Sequence, residues 1–355
     1  MTRNLPRTLF VGRGNSGVCW YRCALPAMYL DQDWVGVAGE PPNVGILAGV
    51  GRATASFEDF FNYDVVVLQY QASTAWVNGV RRLQDAGIVV LFEIDDYARS
   101  VRKKRDHAIG HQFGADFIRQ FEMVMRVCDG VICSTDYLAR RYRSINPRTW
   151  VCQNAIDLPR YRFTRPATDT VTIGWAGGTG HREAMEPWLP AIEAVMAARP
   201  QTRFMTIGEP FANRLLERFG PERCIALPSA PMETYPAAMA SFDLALAPAG
   251  RSTFYQGKSD LRWLESSALG IPLVADPNVY PEIEDRATGF HVATPADVER
   301  TLLELVDDAD LRTSVGAQAH EHVAASRSMA VCAPAWADVL RSVAELRSSP
   351  VALGR

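Results

Sequence analysis

Long apolar runs are missing from this chain: nowhere do its 355 residues approach the roughly 18 uninterrupted apolar positions of a membrane-spanning helix. An excess of one charge is missing too. The 37 Lys and Arg against 40 Asp and Glu leave a formal net charge of −3, which gives no global drive toward nucleic acid or anionic lipid. Paired cysteine spacing is absent as well. The seven cysteines (19, 23, 128, 133, 152, 224 and 332) are odd in number and scattered, which excludes a zinc-finger framework and points to a reducing compartment. No repeat of solenoid period occurs, and only 347–355 reads as a low-complexity tail. Residues 1–7 are charged and broken by Pro6, and the apolar stretch 8–11 is too brief for a signal sequence, so a cytoplasmic protein, or one peripheral to the membrane, is expected. What is present is material for cores: 48 % hydrophobic residues over a length that suits two domains at roughly 100–200 residues each.

Apolar runs rich in Val, Ile and Leu recur at 8–12, 35–38, 65–69, 88–92, 130–133 and 150–152, and none alternates with period two. Runs of this kind separated by amphipathic segments predict parallel strands covered on both faces. The pattern pauses at 157–170, where Pro159 and Pro166 sit among polar residues and predict a linker. It resumes at 171–175, 203–207, 224–226, 244–247, 272–275 and 289–292. Helices are predicted at 185–198, 211–219, 232–241, 261–269 and 295–307, the last with Thr294 as N-cap and Pro295 at its first position. Two α/β domains in tandem is the fold class these patterns imply.

Each half opens on a strand and a glycine turn. Gly12-Arg13-Gly14-Asn15-Ser16-Gly17 has the spacing G-x-G-x-x-G before a helix, with Glu40 after the next strand as the acid a dinucleotide site would want. Gly14 and Gly17 are therefore candidates for a backbone-amide nest, and Gly177, Gly178, Thr179 and His181, in the turn after 171–175, for a second. A tight βα turn is the bland reading of either. Trp20, Tyr21 and Arg22 follow the first turn, and Arg22 is a candidate for substrate contact while the two aromatics also suit core packing. Glu93-Ile94-Asp95-Asp96 closes the strand 88–92; Asp95 and Asp96 there suit hydroxyl orientation, proton uptake, capping or a divalent ion. The run Arg99, Arg102, Lys103, Lys104, Arg105 is the strongest local basic cluster, a solvated face or a contact for an anionic partner.

The stretch from Arg251 through Lys258-Ser259-Asp260-Leu261-Arg262-Trp263-Leu264-Glu265 to Gly270-Ile271-Pro272 resembles the donor-binding segment of glycosyltransferase family 4 (glycosyl transferases group 1). Asn154-Ala155-Ile156-Asp157 resembles that family's Asn-x-x-Asp element, 130–142 the strand and helix before it, and the closing helix 329–346 with Trp336 its terminal helix. The resemblance implies a GT-B fold: an N-terminal Rossmann-like acceptor-side domain at 1–160, a C-terminal donor domain at 161–328 with a cleft between them, and a helix at 329–355 returning to the first domain. It implies that Glu265 binds the nucleotide ribose and that Lys258 and Arg251 meet the diphosphate. Ser259, Asp260 and Leu261 would complete the donor site, with Gly14, Gly17, Gly177, Gly178, Thr179 and His181 around the phosphates. Asp95 and Asp96 join Lys258 and Arg251 as the catalytic candidates, and Trp20, Tyr21, Arg22, Arg102 and Lys103 as those on the acceptor side. The pattern departs at Gly257, where the family carries the first acid of E-x7-E.

The expected activity is transfer of a sugar from a UDP- or GDP-sugar co-substrate to an acceptor hydroxyl, with retention and without a metal or bound cofactor. The acceptor stays open among a glycan, a lipid-linked glycan, a protein, a small molecule and a modified DNA base. A sugar-nucleotide epimerase, a non-catalytic glycan- or DNA-binding module of the same fold, and a nicotinamide-dependent oxidoreductase resting on 12–17 alone are the rival readings.

Overall fold

Strands that read as unbroken apolar runs lie at the centre of two sheets, one wholly and one almost wholly parallel, as burial on both faces requires. In the computed structural model the described residues are 5–14, 16–51, 56–101, 114–163, 168–210 and 213–348. They form two compact units. One holds the described residues up to Arg99, 114–155 and the helix Met329–Ser348; the other runs from Ile156 to Ser328.

The first unit is a seven-stranded sheet in the order β3-β2-β1-β4-β5-β6-β7. The strands are β1 (Thr8–Arg13), β2 (Asp33–Glu40), β3 (Asn43–Gly51), β4 (Val65–Gln69), β5 (Val89–Ile94), β6 (Gly130–Cys133) and β7 (Thr149–Val151). Every pairing is parallel except the β2–β3 hairpin. That hairpin was not predicted. Its turn residues Pro41 and Pro42 interrupt the apolar pattern, and β3 (NVGILAGVG) carries too many glycines to read as a strand. The helix Met329–Ser348 belongs to this unit and sets Trp336, 1 % exposed, edge-on to Phe10 at 5.9 Å between ring centroids.

The second unit is all parallel, with order β10-β9-β8-β11-β12-β13. The strands are β8 (Val171–Gly177), β9 (Thr202–Gly208), β10 (Cys224–Leu227), β11 (Leu244–Ala247), β12 (Leu273–Ala275) and β13 (Phe290–His291). In both sheets the strand order reverses beside the first strand, and in open α/β sheets ligands bind outside the carboxyl ends of the strands at such switch points. The helix Pro295–Asp307 begins as predicted, capped by Thr294, whose hydroxyl accepts from the Asp297 amide at 3.2 Å. The helix predicted over 185–198 is broken into Arg182–Met185, a 3-10 turn Glu186–Trp188 and Leu189–Ala198, because Pro187 and Pro190 cannot donate into a continuous ladder. Within the predicted linker, Leu158–Tyr161 forms a 3-10 turn, and Arg160 Nη2 donates to the Met232 carbonyl at 2.6 Å.

No described helix is long and apolar enough to cross a membrane. All seven cysteines are unpaired thiols. Because Trp336 fills the first core from a helix far away in sequence, Trp336→Ala should cost about 3–5 kcal/mol of stability, as truncations of buried Trp do. Urea unfolding followed by far-UV dichroism checks this; a loss under about 1 kcal/mol would mean the helix does not close that core.

Candidate functional site

At the carboxyl edge of the first sheet, polar side chains end apolar strands and converge. Trp20–Ala24 forms a single π-helical turn, closed by the Leu25 amide on the Trp20 carbonyl, and this turn carries Arg22 inward. Arg22 Nε meets Glu93 Oε1 at 2.6 Å, with both side chains essentially without solvent access. Arg22 Nη1 donates to the Cys152 carbonyl at 2.6 Å and to Asn154 Oδ1 at 3.0 Å. Gln69, the last residue of β4, donates from Nε2 to Glu93 Oε2 at 3.0 Å, and its Oε1 accepts from the Arg13 amide at 3.3 Å. The guanidinium lies 4.9 Å from the Trp336 ring centre. Burial pushes the Glu93 carboxyl above the ordinary carboxylate range, against the pull of Arg22 and Gln69. Burial also works to lower the Arg22 pKa, but Glu93 outweighs it and the net shift is upward.

Beside this network Tyr70 sits at φ +55°, a left-handed conformation that L residues rarely adopt and that the surrounding structure must hold in place. Its hydroxyl is pushed well up by burial, with Asp96 and Asp95 adding to the shift. Asp95 and Asp96 are half-buried, and the Asp96 carbonyl accepts from the Tyr142 hydroxyl at 2.9 Å.

In the second unit, β8 ends at Gly177. A Cβ there would collide with Arg262 Nη2, and the Gly177 carbonyl accepts from the Glu209 amide at 2.9 Å. Gly178 is exposed, and Thr179–His181 makes a 3-10 turn whose His181 ring lies against Phe254 and Tyr255 at 6.2 and 6.0 Å. The helix Leu261–Ala268 carries Arg262 over the Trp175 ring at 5.4 Å and buries Glu265, 5 % exposed. Glu265 Oε2 accepts from the Tyr235 hydroxyl at 3.1 Å. Burial raises the Tyr235 pKa well above its usual value, and Glu265 adds to it. Tyr280, to which Arg262 hydrogen-bonds, is pushed up to about 12 by burial, with Arg262 pulling it down and Asp260 and Glu265 raising it. Lys258 is half-buried with its ammonium 4.6 Å from the Phe254 ring centre, while Arg251 is exposed.

Several expectations need correction. Arg22 is no acceptor-side cation at the surface: it is 1 % exposed and bound to Glu93. Tyr21 is 3 % exposed and belongs to the core. The Gly14 amide is not open to an anion, because it donates to the Val37 carbonyl at 3.0 Å. Asp260 does not replace the acid absent at Gly257, since its two oxygens accept from Arg327 at 2.5 and 2.9 Å and it is 5 % exposed. Gly17 opens a three-residue helix capped by Ser16, Trp20 is half-buried, and Ser259 and Leu261 flank Asp260 half-exposed. Arg102 and Lys103 lie outside the described residues, as do Lys104 and Arg105. Gln69, Arg262, Tyr235 and Arg327 were missed, and Glu93 was read only as part of the acidic strand end with no partner foreseen. Glu93 and Gln69 left a trace, as polar residues ending apolar strands; Arg327, 67 residues from Asp260, left none.

Among the described residues no cluster of three His, Cys, Asp or Glu is placed to hold a metal ion. Residues 183–336 match a family model described as glycosyl transferase-like, a stretch that takes in Arg251, Lys258, Arg262 and Glu265. Among curated proteins none matches the chain in sequence. Its fold is similar to that of HepE from Anabaena, solved with UDP and glucose, at TM-score 0.68 and 14 % identity, covering 95 % of this chain and 100 % of that one. A glycosyltransferase from Rickettsia africae superposes at TM-score 0.67 with 11 % identity, covering 98 % and 100 %. Sucrose-phosphate synthase from Thermosynechococcus elongatus does so at 0.66 with 13 % identity, covering 97 % and 100 %. At such identities the likeness is one of fold: two Rossmann-like α/β units of the GT-B class.

Removing one partner of a buried ion pair strands the other charge. Glu93→Gln should therefore destabilise the first unit by about 3–5 kcal/mol in denaturant unfolding, and the double variant Arg22→Met with Glu93→Gln should recover part of that loss. Equal stability of the single variant and the parent would show that Glu93 is not held as a carboxylate against Arg22.

Proposed function

We propose that the chain is a glycosyltransferase that moves a sugar from a nucleoside diphosphate sugar to an acceptor hydroxyl. The observation that carries this reading is Glu265: a buried carboxylate, steadied by Tyr235, on a helix within the stretch that matches the glycosyl transferase-like model. A fixed, buried carboxylate suits the paired hydroxyls of a ribose, which donate to it. Arg262, held against Trp175 beside Gly177, joins Lys258 and the more exposed Arg251 as the cations for the diphosphate, with the turn Gly177–Thr179 supplying backbone amides. HepE has been captured with UDP and with UDP-glucose, which makes a uridine donor the first to try.

In the reaction the bond from the anomeric carbon to the diphosphate oxygen breaks and one to the acceptor oxygen forms. Negative charge grows on the leaving diphosphate, so cations and amides already in place stabilise the transition state more than the ground state. The acceptor proton leaves with the departing phosphate or to a carboxylate; Asp95 and Asp96, closing β5, are assigned to the acceptor. Retention at the anomeric carbon and independence of a metal are part of the same proposal.

Thermal-shift titration with UDP-, GDP-, ADP- and dTDP-sugars tests donor choice, since a ligand bound only by the folded state raises Tm. Glu265→Gln should weaken binding of that donor by about 1.5–3 kcal/mol, the worth of a hydrogen bond to a charged group, with the fold intact. Lys258→Ala should lower kcat more than it raises KM. Activity should survive EDTA; loss on chelation, restored by Mg²⁺, would reject the metal-free route. Diphosphate release with no acceptor present would move the reading to epimerase-like or hydrolytic chemistry.

A further inference from the structure

Glu265 stands on the side of the helix Leu261–Ala268 that faces the end of β8, because Arg262, one turn earlier on the same face, lies over Trp175 and beside Gly177. A glutamate side chain turns about several torsions, so the helix fixes the root of this carboxylate but not the plane of its two oxygens. That plane decides what the carboxylate can read. Two neighbouring hydroxyls are met by both oxygens only in a narrow range of orientations, whereas a single hydroxyl makes little demand on orientation.

The Tyr235 hydroxyl supplies the missing restraint. It donates to Glu265 Oε2 at 3.1 Å, and it comes from a different part of the chain. The connection from β10 to β11 delivers Tyr235 and the connection from β11 to β12 delivers Glu265, so the two residues stand on separate crossovers of the second sheet. The loop that carries the phenol is stiff. Pro228, Pro231 and Pro236 fix φ along it, the Thr234 and Tyr235 amides donate to the Pro231 carbonyl at 3.0 and 2.9 Å, and Arg160 Nη2 holds the Met232 carbonyl. Burial keeps the phenol protonated well beyond its usual range, with Glu265 adding to the shift, so it faces the carboxylate as a donor. An ionised carboxylate has about four lone-pair sites, and the bond from Tyr235 does not by itself close Oε2 to a ribose hydroxyl.

We propose that Tyr235 is a positioning residue: it turns Glu265 so that the carboxylate meets the 2′ and 3′ hydroxyls of the donor together, and thereby restricts the donor to ribonucleoside diphosphate sugars. Thymidine diphosphate sugars, whose deoxyribose lacks the 2′ hydroxyl, are excluded as a class. A site built to take a proton from a hydroxyl rejects the analogue without it, because a buried acceptor is then left with nothing to accept. The inference rests on the glycosyltransferase reading for the presence of a nucleotide at Glu265.

Isothermal titration calorimetry of the full chain with UDP and 2′-deoxy-UDP tests it, with the GDP and ADP pairs used in turn if UDP is not bound. The parent should bind the ribonucleotide at least about tenfold more tightly than its 2′-deoxy analogue, a difference of about 1.4 kcal/mol. Tyr235→Phe, which keeps the ring and removes the hydroxyl, should narrow that preference to about threefold or less by weakening the ribonucleotide alone. Glu265→Gln should narrow it likewise, and adding Tyr235→Phe to Glu265→Gln should change it no further, because Tyr235 acts through Glu265. If Tyr235→Phe does not fold, Arg160→Met, which releases the Tyr235 loop from Arg160, takes its place and should narrow the preference in the same direction. A parent that binds both nucleotides equally overturns the proposal, as does an unchanged preference in the folded variant. Equal loss of affinity for both nucleotides overturns it too, since a merely structural contact moves both. Further narrowing in the double variant would place Tyr235 on the ribose itself and reject the positioning role. Nucleotide binding with no ribose preference leaves the donor reading standing, whereas failure of all three ribonucleoside diphosphates to bind strikes that reading and this proposal with it.

Discussion

A guanidinium with no access to water sets the terms for the first unit. Arg22 must keep Glu93 within reach, so the π turn after β1, the end of β5 and the chain around Cys152 and Asn154 are drawn to one point. Gln69 extends the demand to β4, and Trp336 roofs the cation with an aromatic face from the last helix. Such a pair adds little net stability over a well-packed apolar cluster of the same volume, but it tolerates few alternatives, because any arrangement that separates its members buries a bare charge. The carboxyl edge of the sheet, where Asp95 and Asp96 lie, is thereby held in one geometry.

The second unit uses the same device in a different place. Arg327, following the helix Ala309–Ser326, grips both oxygens of Asp260, and Asp260 is the residue from which the helix Leu261–Ala268 begins. That helix carries Arg262 and Glu265, so the buried pair decides where the two side chains stand relative to Gly177 and Tyr235. Close approach does the rest. A Cβ at Gly174 would overlap the Phe242 ring, and one at Gly208 would meet the Gly177 carbonyl, which leaves glycine as the residue that lets these strand ends pack.

The sequence by itself determined the architecture of this protein. Apolar runs without alternation can be buried only at the centre of parallel sheets, so β1, β4, β5, β8 and β11 were legible, as were the Thr294 cap and the helix bearing Glu265. The resemblance of 251–272 to a donor-binding segment was legible because that segment is local: a helix, its start and its exit lie within some twenty residues. Hairpin β2–β3 escaped, since a Pro-Pro turn and a glycine-rich strand carry a weak periodic signal. What only the tertiary structure decided is which charges are spent. In sequence Arg22 and Asp260 read as candidates for ligand contact, Glu93 as a strand-end acid and Arg327 as nothing in particular, whereas their pairing spans 71 residues in one case and 67 in the other. Periodicity records which face of an element avoids water; it holds no record of which distant partner a buried polar group finds there, because that depends on the packing of elements far apart in the chain.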